Sequence, residues 1–166
     1  MKKGLKGLKG QMRTSFSSLR SLFSLASLFL LSFSAFAAPT DAQVAARASA
    51  LEVAGGFSNI GFKIRDGHAF LNLEASKPQY IQVNLYSGNQ YWFIAAANGS
   101  TRNLAVTVYD AQGNFVPTEL YEHPNKHQAA AGFSPQASGP YIICIQERAC
   151  FLTARPPTVC LLYCYK

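Results

Sequence analysis

A chain of 166 residues with 15 Lys and Arg against 8 Asp and Glu carries a formal charge of +7, which at first sight suits a phosphate-rich partner. The excess sits at one end: Lys2, Lys3, Lys6, Lys9, Arg13 and Arg20 precede every acidic residue, and without residues 1–37 nine basic groups, scattered singly, face eight acidic ones. A nucleic-acid binder needs a basic stripe to displace counterions, so that class is excluded, and the 129 residues that remain suffice for one domain with a core of its own.

The basic start, the apolar run from Leu22 to Phe33 and the small-x-small site Ala35-Phe36-Ala37 form the three-part layout of a secretory signal peptide. Cleavage is expected after Ala37, with residence in the periplasm or outside the cell and no membrane association afterwards. The run is short of the ~20 residues that span a bilayer. Domain organisation follows as a signal peptide (1–37), a helical segment (38–56) and a β-domain (57–166).

Residues 40–54 are expected to be helical. Thr40 and Gln43 stand at capping-box spacing, and Gly55-Gly56 offers a stop. The apolar face, Val44, Leu51 and Val53, is thin, so the helix is placed at the edge of the domain. After Gly56 the period becomes two. Strands are expected at 68–74, 79–86, 90–97, 103–109, 113–116, 128–133, 140–146 and 159–165, separated by turn clusters such as Asp66-Gly67, Ser87-Gly88-Asn89 and Ser138-Gly139-Pro140. Ile81, Val83 and Leu85 face inward and Gln82 and Asn84 outward; Leu104, Val106 and Val108 repeat the pattern. Many short strands with regular turns argue for an all-β fold, an antiparallel β-sandwich of jelly-roll or Ig-like type.

All four cysteines, Cys144, Cys150, Cys160 and Cys164, lie near the C-terminus. Export favours pairing. Cys160 and Cys164 are about 13 Å apart on an extended strand, beyond the ~7 Å that a bridge tolerates between Cα atoms. If 140–146 and 159–165 form a hairpin, 144–164 and 150–160 share nearly one register, and two disulfides would staple that hairpin to the sandwich. Without C-x-x-C spacing, zinc is not expected.

Leu85-Tyr86-Ser87-Gly88 with Tyr91, Leu104-Ala105-Val106-Thr107-Val108-Tyr109-Asp110 with Gly113-Asn114, and Phe133-Ser134-Pro135 with Ser138-Gly139 and Tyr141 occur in an order and spacing that resembles the bacterial pre-peptidase C-terminal domain. That domain is a secreted β-sandwich often appended to exported proteases, and the likeness covers residues 68–146. The cysteine-bearing tail resembles that of small relatives in which the sandwich stands alone. Many members carry acidic clusters suited to calcium; here the matching stretches, 98–103 and 121–125, hold Arg102 and few carboxylates, so calcium is not expected.

Catalytic patterns are missing: no G-x-S-x-G elbow, H-E-x-x-H helix or Gly-rich phosphate loop occurs. His123 and His127 flank Pro124 and Asn125 and read as surface histidines of a loop. His68 is solitary, and Glu119 and Glu122 read as solvated. Neither enzymatic activity nor a cofactor is expected. Trp92 projects opposite to Tyr91 and Phe93, and with Tyr91 and Tyr86 it is the candidate for a sugar-stacking platform. The expected function is a non-catalytic binding, interaction or envelope-stability module with an unknown protein or glycan partner. Its alternatives are a carbohydrate-binding protein and an accessory factor for a separately encoded exported protease.

Overall fold

The computed structural model describes residues 38–74, 77–99, 103–121, 126–148 and 156–166. Its contacts divide the chain after Ala38, and the unit described below is Pro39–Lys166. Helix α1 (Asp41–Ser58) opens it. Among the described residues ten strands follow: β1 (Lys63–Ile64), β2 (Ala69–Asn72), β3 (Gln79–Leu85), β4 (Tyr91–Ala97), β5 (Leu104–Tyr109), β6 (Phe115–Val116), β7 (Glu119–Tyr121), β8 (Gln128–Phe133), β9 (Gly139–Glu147) and β10 (Thr158–Tyr165).

The capping box forms as its spacing implies: Thr40 N–H donates to Gln43 Oε1 (2.8 Å) and Gln43 N–H donates to Thr40 Oγ1 (3.3 Å). The helix does not stop at Gly55-Gly56 but runs on to Ser58. The two glycines cost the helix about 2 kcal/mol together, which burying a phenylalanine, about 1.5–3 kcal/mol, offsets, and Phe57 is buried by the extra turn. Of the expected apolar face Val53 is buried, but Val44 and Leu51 are exposed; the rest of the covered face is Ala46, Ala50, Ala54 and Phe57.

Among the described residues the strands form two antiparallel sheets. Sheet A has the order β1-β10-β4-β8-β7, with β2 also paired to β10; sheet B has the order β3-β9-β5-β6. Between them lies the main core, which includes Leu85, Phe93, Val108, Ile143, Ile145 and Leu161. The all-β sandwich is therefore present, with a third layer: α1 lies on the outer face of sheet A. There the helix packs on Ile94, Ala96, Ala130, Cys160, Leu162 and Cys164. β4, Tyr-Trp-Phe-Ile-Ala-Ala-Ala, is consequently covered on both faces, which is why it reads as a continuous apolar run.

The cysteine pairing is corrected. β9 and β10 are not a hairpin: β9 lies between β3 and β5 in sheet B, and β10 pairs with β1, β2 and β4 in sheet A. Ile143 and Ile145 point into the main core, so Cys144 points out of sheet B; Cys160 and Cys164 point out of sheet A, toward α1. Packed sheets stand about 10 Å apart, which puts Cys144 and Cys164 on opposite sides of the sandwich and out of bridging range. Cys144, Cys160 and Cys164 are buried free thiols. Cys150, the proposed partner of Cys160, lies outside the described residues.

Candidate functional site

Trp92 projects from β4 away from its neighbours, as alternation requires, but the face it reaches is occupied. Its ring stacks on Phe57 of α1 (centroids 4.5 Å apart, planes 24°) and meets Tyr121 edge-on (6.4 Å, 82°). Beneath it is Gly132 of β8, where a Cβ would stand only 2.8 Å from Trp92 Cζ2. Tyr91 is 2% exposed, and its hydroxyl accepts from Tyr86 N–H (3.0 Å) and Asn89 Nδ2 (3.1 Å). Only Tyr86, at 61%, is open to solvent. Tyr86 and Tyr91 share a cleft of about 250 Å³ with Arg65, Asn89 and Tyr165; Trp92 lines a different cleft, which Tyr91 reaches but Tyr86 does not. The three aromatics do not form one platform.

The residues that carry the family likeness hold turns. Asp110 Oδ1 accepts from the N–H groups of Gln112 (2.9 Å) and Asn114 (2.8 Å), and Oδ2 accepts from Asn114 Nδ2 (2.9 Å). Those bonds, the Asn114 side chain first, hold the Asp110 carboxyl below its ordinary range. Gly113 supplies the left-handed step, φ 83°. Ser87 N–H donates to Ser138 Oγ (2.9 Å), which ties the β3–β4 turn to the entry of β9.

The thiols are not nucleophiles at neutral pH. Desolvation pushes Cys160 and Cys164 up to about 11 and raises Cys144 as well. Among the described residues no group of three or more His, Cys, Asp or Glu is placed to hold a metal ion. His68 is exposed and touches Phe70 edge-on (4.7 Å); Glu119 is exposed on β7. Glu122 and His123 lie outside the described residues. A cleft of about 550 Å³ at the side of the sandwich carries both Lys126 and Arg148 at its walls.

The surface that sequence reasoning passed over is the outer face of sheet B. While α1 roofs sheet A, none of the described elements packs on this face. Register places Gln82, Ile142, Tyr109 and Phe115 in one row across four strands, and Tyr80, Cys144 and Thr107 in the next. Asn84, Pro140, Gln146 and Ala105 complete the outward strand positions. None of these eleven residues is charged. Tyr80 and Phe115 are each 61% exposed, and Tyr109 and Phe115 meet edge-to-face at 6.2 Å. The Cys144 thiol beside it raises the Tyr80 phenol above its ordinary value. The outward parity of Gln82 and Asn84 is legible in the sequence; the bareness of the face is not.

No family model matches the chain and no curated protein matches it.

Proposed function

We propose that the mature chain is an exported, non-catalytic β-sandwich of the pre-peptidase C-terminal type, acting as a binding module through the outer face of sheet B. The observation that carries this reading is the asymmetry of the two outer faces: one is covered by α1, whereas the other has none of the described elements packed on it, is uncharged and turns Tyr80 and Phe115 to solvent. Large exposed aromatics on an otherwise polar surface are the usual anchors of recognition. Export is supported by the leader pattern of residues 1–37. The absence of catalysis is supported by the buried, protonated thiols.

A second reading, a neutral polysaccharide as the ligand, is favoured by the chemistry of that face. Tyr80 and Phe115 offer apolar ring surface, Gln82, Asn84 and Gln146 offer amide donors and acceptors, and no charge selects an ion. The platform then belongs to Tyr80 and Phe115 rather than to Trp92.

The test is affinity electrophoresis of the mature chain through gels containing neutral or anionic polysaccharides. Retardation by a neutral polymer, abolished in the Tyr80→Ser/Phe115→Ser double variant and kept in Tyr86→Ser, is the expected result. Retardation that survives the double variant removes sheet B from the binding surface.

A further inference from the structure

Edge strands expose unpaired N–H and C=O groups, and stable proteins blunt them with shortness, charge, proline or bulges. In this fold almost every edge is treated that way. β1 is two residues and begins with Lys63, β6 is two residues, β7 is three and begins with Glu119, and β2 is four. Among the described residues β3 is the longest exception, the part of β5 that β6 does not reach being four residues, Leu104–Thr107. β3 lies at the end of sheet B with only β9 of the described strands beside it, and it is seven residues long, Gln-Tyr-Ile-Gln-Val-Asn-Leu, with neither charge nor proline. Its register against β9 is unbroken from Gln79↔Ile145 to Leu85↔Gly139, so no bulge twists it away. An antiparallel partner uses the groups that face one side of a strand; those on the other side of β3 point along the open edge.

The side chains indicate what completes the edge. Ile81 and Val83 point toward the main core but are only partly buried, so the rim of the core is unfinished at β3. The sequence of β3 is also self-complementary. An antiparallel copy related by a two-fold axis through Gln82 sets Ile81 against Val83 on the core side. On the outer side it sets Tyr80 against Asn84, and Gln82 against Gln82. These pairs combine like with like, apolar with apolar and polar with polar; the end pair, Gln79 with Leu85, is the one that mixes the two. This register is also the one that pairs all seven residues.

We infer that two copies of the mature chain associate through β3, joining their B sheets into one continuous eight-stranded sheet. The step is strand addition with a second copy as the occupant, and it forms an isologous interface. It stands independently of the ligand reading above, because it uses the edge of sheet B and not its face.

The test is sedimentation velocity of the mature chain over a range of concentrations, alongside Gln82→Lys and Gln82→Glu. Gln82 is exposed in the single chain, so both variants fold, which circular dichroism checks. The wild type is expected to sediment as a dimer. Each variant sets like charges against each other at the axis, weakening association by about a hundredfold or more. An equimolar mixture of the two variants sets Lys against Glu and restores the dimer. A wild type that stays monomeric throughout, single variants that still dimerise, or a mixture that fails to recover would each overturn the inference. A Gln82→Cys variant gives a further check: oxidation is expected to cross-link it through residue 82, and failure to cross-link while dimeric also overturns the register.

Discussion

Replacing Gly132 by alanine probes the joint between α1 and sheet A more directly than any other single change. The new methyl carbon would stand 2.8 Å from Trp92 Cζ2 and 2.9 Å from Cε2 and Cη2, well inside ordinary carbon contact of about 3.5–4.0 Å. The indole must therefore retreat by more than half an ångström. It cannot retreat freely, because Phe57 lies stacked on it at 4.5 Å and Phe57 is part of the helix. Overpacking of this kind costs about 1–3 kcal/mol, against which alanine recovers only ~0.5–1 kcal/mol of the glycine penalty. A net loss of roughly 1–2 kcal/mol follows. Trp92 is the sole tryptophan, so its fluorescence reports the site during urea unfolding of residues 38–166, and circular dichroism follows the variants that lack it. A lower midpoint at unchanged slope is expected. In a Trp92→Leu background, which removes the indole, Gly132→Ala should cost little or nothing, leaving a coupling energy of at least about 1 kcal/mol. An equal loss in both backgrounds would refute the argument, since the methyl would then be colliding with something other than the indole.

Four further outcomes follow from the same architecture. A Cβ on Gly56 meets nothing within 4 Å, so Gly56→Ala should stabilise the fold by about 0.5–1 kcal/mol, read as a melting temperature raised by several degrees. Gln128 Nε2 donates from sheet A to the backbone oxygen (3.2 Å) and Oγ (2.8 Å) of Ser49; Gln128→Ala should cost about 1–3 kcal/mol by leaving that joint unmade, and Ser49→Ala should cost less because one acceptor survives. Cys160 and Cys164 are raised to about 11 in the fold against ~8.5 in an unfolded chain. The stability they carry is whole below the unfolded value and is lost as pH climbs from about 8.5 to 11; the urea midpoint should fall across that window, and less steeply in Cys164→Ala. Finally, alkylation and mass mapping of the purified mature protein should find Cys144, Cys160 and Cys164 protected when folded and labelled as thiols in urea, whereas a 144–164 bridge would leave that peptide pair linked.

The sequence carried much of this fold in its periodicities and little of it in its long-range partnerships. Alternation placed Ile81, Val83 and Leu85 inward and Gln82 and Asn84 outward, because a half-buried strand has a side-chain period of two. The same rule sent Trp92 to the opposite face from Tyr91 and Phe93. β1 and β7 were not foreseen, since two or three exposed residues contain no period to read. Most of the buried face of α1 was missed for a different reason. Ala46, Ala50 and Ala54 recur every four residues and let the helix approach sheet A closely, yet alanine contributes too little apolar surface to outweigh Val44 and Leu51, which stay exposed.

The two larger errors share a physical cause. Constant sums of residue numbers fix a register only between strands that are neighbours, and β9 and β10 enter different sheets. Likewise, a period of two says which way Trp92 points but not that Phe57, far off in the chain, waits on that side. Local pattern determines the two faces of each strand; the layering determines which faces remain open. Once α1 takes the outer face of sheet A, Trp92 is covered by Phe57, whereas on the outer face of sheet B Tyr80 and Phe115 stay exposed. The helix that covers the tryptophan is thus the same element that, in the function proposed above, leaves recognition to the opposite sheet.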